Sequence, residues 1–64
     1  MRVYRAFVVD KDGKLTEPPQ VLHCTDDDEA VKDAQQLVDG CNVEVWDRER
    51  FIAFIGPNGV KVRH

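Results

Sequence analysis

The sequence has little of what catalytic and metal-binding sites are built from. Its 64 residues include two cysteines, two histidines, one tryptophan and one tyrosine. It has no glycine-rich phosphate loop, no nucleophile elbow and no zinc-binding spacing. It has no repeat, no linker and no low-complexity segment. No apolar run approaches the roughly 18–20 residues of a membrane span, and Met1-Arg2-Val3-Tyr4-Arg5 lacks a signal-peptide core. A chain this short buries only about 60% of its unfolded surface, which argues against a deep, self-contained pocket. The expectation is one soluble, cytoplasmic domain that is no enzyme and takes no cofactor, no metal and no membrane partner. Charged residues at 33% beside 42% apolar residues argue against disorder.

Cys24 and Cys41 flank opposite ends of the expected helix. A helix of about 14 residues is roughly 21 Å long, whereas a disulfide needs Cα atoms within about 7 Å. The sequence therefore excludes an intramolecular bond, and the same distance keeps His23 and Cys24 from sharing a metal with Cys41. His23 and Cys24 are also neighbours in extended chain, where side chains point to opposite faces, so they do not form a nucleophile–base pair. Asp10-Lys11-Asp12-Gly13 echoes the start of a calcium loop but lacks the later oxygen ligands, and reads as a type I turn with a left-handed Gly13.

Along the chain, residues 3–9 are β-branched and aromatic and read as a strand. Residues 14–17 return as a second strand, interrupted by Pro18-Pro19, with Val21-Leu22-His23 resuming extended structure. Thr25 is the expected N-cap of a helix whose first turn holds Asp26, Asp27, Asp28 and Glu29, where the macrodipole favours negative charge. Ala30, Val31, Ala34, Leu37 and Val38 form its apolar face, and Gly40 ends it. Asn42–Trp46 and Arg50–Ile55 make a hairpin with Arg48 and Glu49 at its tip. The predicted fold is α+β, ββαββ: a four-stranded, mainly antiparallel sheet in the order 2-1-3-4, with one helix packed on one face. Residues 1–56 form this single domain. Residues 57–64 read as a C-terminal tail, frayed or adding a short extra strand.

In that hairpin Trp46 faces Phe51, Val45 faces Ile52 and Val43 faces Phe54. Alternation then puts Val43, Val45, Ile52 and Phe54 on one face and Glu44, Trp46, Phe51, Ala53 and Ile55 on the other. Both sheet faces are apolar, yet a single helix covers only one. The uncovered face, with Trp46, Phe51, Glu44, Ile55, Arg5 and Phe7, is the expected interaction site for a second copy in a homodimer or for another protein. The alternative is weak single-stranded nucleic-acid binding on the same aromatics with Arg48 and Arg50. A net charge of −3 weighs against it, although residues 48–64 alone carry +3.

Two resemblances follow from these residues. Tyr4-Arg5-Ala6-Phe7, Leu37-Val38-Asp39-Gly40, Val43-Glu44-Val45-Trp46 and Arg50-Phe51-Ile52-Ala53 together resemble a family of small alphaproteobacterial proteins of about this length. The resemblance covers residues 3–55 and implies a domain of unknown function, with no catalytic residues to transfer. Asp10-Lys11-Asp12-Gly13 followed by Cys24-Thr25-Asp26-Asp27-Asp28-Glu29-Ala30 is similar, at the level of fold, to HicB-like antitoxins. That similarity implies a half-domain that binds a toxin ribonuclease, although the extra strand expected before the helix is missing here.

Overall fold

The computed structural model describes residues 2–64. The β-branched and aromatic run near the N-terminus forms β1 (Arg2–Val9), followed by β2 (Gln20–Cys24), α1 (Asp27–Gln35), β3 (Asn42–Asp47), β4 (Arg50–Gly56) and β5 (Gly59–Arg63). The fold is α+β, with one helix against an antiparallel sheet. That sheet has five strands, in the order β2-β1-β3-β4-β5, rather than the four expected. The fifth strand comes from the expected tail. Gly56-Pro57-Asn58-Gly59 turns the chain back, and β5 then pairs along the edge of β4. No helix among the described residues is long and apolar enough to cross a membrane.

The turn after β1 forms as expected. Gly13 N–H donates to the Asp10 carbonyl at 2.9 Å, with Gly13 at φ 82°. Asp10 Oδ1 accepts from the N–H groups of Asp12 and Lys14 at 2.9 and 3.0 Å. The returning segment departs from expectation. Residues 14–17 meet β1 through a Leu15–Val9 bridge and through Thr16, whose N–H and hydroxyl both donate to the Val8 carbonyl, and go no further because Pro18 and Pro19 have no N–H to continue the ladder. The strand proper is β2, which pairs with the other half of β1, from Arg2↔Cys24 to Ala6↔Gln20.

The helix is also shorter than expected, at nine residues. Its N-cap is Asp26, not Thr25. Asp26 has extended backbone, and its Oδ1 accepts from Glu29 N–H at 2.9 Å, while Thr25 Oγ1 donates to Glu29 Oε2 at 2.8 Å. Beyond Gln35 the bonds tighten to three-residue spacing, Leu37 N–H to Ala34 O and Val38 N–H to Gln35 O. Leu37 and Val38 still pack against the core from that turn.

The register of β3 and β4 decides the two faces. Trp46 opposes Phe51 as expected, but Val45 then opposes Ala53, Glu44 opposes Phe54 and Val43 opposes Ile55. Ile52 is an extra residue at a bulge, and everything beyond it changes sides. Ala53 and Ile55 therefore join Tyr4, Ala6, Val8, Val43 and Val45 beneath Ala30, Val31 and Ala34, all buried, whereas Phe54 goes to the face without the helix. Ile52 itself is buried.

Candidate interaction face

The helix-covered side carries the principal polar network. Tyr4, fully buried, points its hydroxyl along the core to donate to Asp27 Oδ1 at 2.7 Å. Arg50 clamps the same carboxylate with two bonds, Nη1 to Oδ2 at 2.9 Å and Nη2 to Oδ1 at 3.0 Å, and also reaches Asp47 Oδ2 at 3.0 Å. Arg2 lies 3.8 Å from Asp27, and Arg63 of β5 pairs with Asp28. These contacts hold the start of α1 onto the ends of β1, β4 and β5. The Arg50 and Tyr4 bonds hold the Asp27 carboxyl down to about 2, whereas burial and then the Asp27 bond push the Tyr4 phenol upward. Arg50 is pushed further above its already high value by Asp27 and Asp47.

Beneath α1, Cys24 Sγ, Glu29 and Asp33 each place one ligand-type atom within 4.8 Å of the others. Burial and then the Asp33 hydrogen bond push the Cys24 thiol up to about 11. The thiol donates to Asp33 Oδ2 at 3.3 Å. His23, the neighbour of Cys24, is exposed on the other face of the sheet. Cys24 and Cys41 are both free.

The face without the helix is built from two cross-strand rows. One runs Val21–Arg5–Trp46–Phe51 and the next Phe7–Glu44–Phe54–Val62. Trp46 and Phe51 meet edge to face, with centroids 5.4 Å apart and planes at 71°. The indole N–H of Trp46 donates to Glu44 Oε1 at 3.1 Å, two residues away on the same face. Lys61 lies at a second register irregularity, and its ammonium sits 5.9 Å from the Phe54 ring centre. Gly56 makes room for it, since a Cβ there would meet the Lys61 stem and Asn42 Oδ1. Phe7, Trp46, Phe51 and Phe54 are half-buried, and Val21 and Val62 are about half exposed at the flanks, 51% and 52%. Beside Leu15 a shallow groove of about 340 Å³ opens, with Phe7, Val9, Trp46 and Arg48 among its walls.

Of the residues expected at this site, Arg5, Phe7, Glu44, Trp46 and Phe51 come together. Ile55 does not. The bulge at Ile52 turns it under the helix, fully buried. Arg48 lines the groove, but Arg50 projects to the opposite side into the Asp27 clamp, so the two arginines do not act together on one surface. The sequence reading missed Phe54, Lys61 and Val62, which depend on the bulge and on β5. The run Gly56-Pro57-Asn58-Gly59 was the available signal for the latter. No protein-family model, no curated protein and no solved structure matches this chain.

Proposed function

We propose that this chain is a non-enzymatic interaction module that binds a protein through the sheet face bearing Trp46, Phe51, Phe7 and Phe54. The observation that carries this reading is the pair of aromatic and aliphatic rows left uncovered while α1 packs on the other side. Contiguous apolar surface of this kind, rimmed by polar groups, marks contact sites in water-facing proteins. Tryptophan and arginine, here Trp46 beside Arg5, are enriched at the centres of such contacts. The similarity to antitoxins belongs to the same class of reading, a non-catalytic chain that acts by holding a protein.

The nucleic-acid reading has less support. Arg50 is committed to Asp27 and Asp47 on the opposite side, and the edge-to-face Trp46–Phe51 pair does not offer two parallel platforms for bases.

A photo-crosslinking amino acid placed at Val62 or Val21, and at Lys32 on the outer side of α1 as control, tests the proposal in cells. Adducts of discrete mass from the two sheet positions and none from Lys32 are expected. Equal labelling at all three positions, or none at Val62 and Val21, would overturn it.

A further inference from the structure

The arginines on the two sides of the sheet differ in their partners. On the helix side Arg2, Arg50 and Arg63 are each within ion-pair distance of Asp27, Asp47 or Asp28. On the open face Arg5, Arg48 and Lys61 have no carboxylate within that distance among the described residues. The one acid among the aromatic rows, Glu44, is engaged by the Trp46 indole. The open face thus presents aromatic side chains with unpaired cations, while the acidic first turn of α1 lies on the other side of the sheet. Arg48 holds a left-handed backbone, φ 56°, which the two-residue β3–β4 turn requires and which glycine or asparagine adopts at less cost.

From this placement we infer that the occupant of the open face is an acidic, apolar peptide segment of another protein, with aromatic or aliphatic side chains on the Trp46–Phe7 groove and carboxylates on Arg5, Arg48 and Lys61. The inference rests on the interaction-module reading and narrows it. A second copy is disfavoured. Face-to-face packing would set three cations against three, at a cost in like-charge contact. A single acidic segment is drawn in by charge.

The test is a selection of a random linear peptide display library against the immobilised chain. Enriched peptides are then synthesised and titrated by Trp46 fluorescence, with an oligothymidylate and the chain itself as competing ligands. Enriched sequences should combine Asp or Glu with aromatic or large aliphatic residues. Their affinity should fall about tenfold or more with Arg5→Glu combined with Arg48→Glu, and should weaken with added salt. Arg48→Gly, which relieves the backbone and removes only the cation, should weaken binding with melting temperature maintained or raised. Neutral or basic consensus sequences, tighter binding of the oligothymidylate, concentration-dependent dimerisation through this face, or no enrichment at all would each overturn the inference. Crosslinking at Val62 and Val21 without an acidic consensus would remove this partner chemistry and leave the module reading standing. Failure of that crosslinking would remove both.

Discussion

Asp27 ties α1 to two strands, because its carboxylate takes the Tyr4 hydroxyl of β1 and the Arg50 fork of β4 at once. A carboxyl held near 2 in the folded chain and near 3.9 in the unfolded one contributes stability that is fully present above about pH 4. That contribution is lost as pH falls through about 2. The melting temperatures of the wild type and Asp27→Asn should therefore differ most near neutral pH and converge in acid. Thermal melts at a series of pH values check this, and a constant difference down to pH 2 would contradict it. Tyr4→Phe leaves packing in place but removes a hydrogen bond to a charged group, at a cost of about 1.5–3 kcal/mol. In a domain this small that lowers the melting temperature by roughly 4–8 °C per kcal/mol. The two thiols should also separate. Cys24, buried and pushed up to about 11, should resist a thiol reagent at neutral pH until the chain unfolds. Cys41, half-buried, should react in the native state. Equal rates for the two would contradict the placement of Cys24.

At the scale of elements, the cap of α1 is a direct test of where the helix begins. Asp26→Ala removes the acceptor for Glu29 N–H and should cost about 1 kcal/mol, measured by denaturant unfolding. Thr25→Ala breaks only an exposed bond to the Glu29 side chain and should cost less. The helix, the β1 turn and the β3–β4 hairpin were legible because each has local chemistry, acids at the helix start, glycine at the turn and a polar tip between apolar runs. What the sequence concealed was long-range. Residues 51–55 are apolar without interruption, so no polar residue marks where the register slips, and alternation counted through Ile52 puts Phe54 and Ile55 on the wrong faces. The candidate site was thus readable as far as Trp46 and Phe51, which lie before the slip, and unreadable beyond it. Strand β5 depends on an open edge of β4 that local pattern does not reveal. Strand β2 was displaced because Pro18 and Pro19 break the ladder between its two candidate stretches. Removing β5 by truncation after Asn58 should lower stability more than any single surface change, since it takes away the Arg63–Asp28 pair, the Lys61–Phe54 contact and the ladder to β4 together.

The whole molecule is a five-stranded sheet with chemically unlike sides. One is sealed by α1 and bonded at its margin by arginine–aspartate pairs, and the other is aromatic, cationic and without a covering element. Apolar residues on both faces of the sheet with one helix to cover them is the property from which the interaction reading grows. Trp46 reports on it without labelling, because it is the only tryptophan and sits on β3, the central strand, facing the open side. The most direct measurement is collisional quenching of its fluorescence by acrylamide in the isolated chain, from low to high micromolar concentration. The account predicts intermediate, readily quenched emission that does not change with concentration and becomes protected when an acidic, apolar peptide binds. Emission shifted to the blue and resistant to quencher at every concentration would contradict it, because Trp46 would then lie under a cover and the open face would not exist.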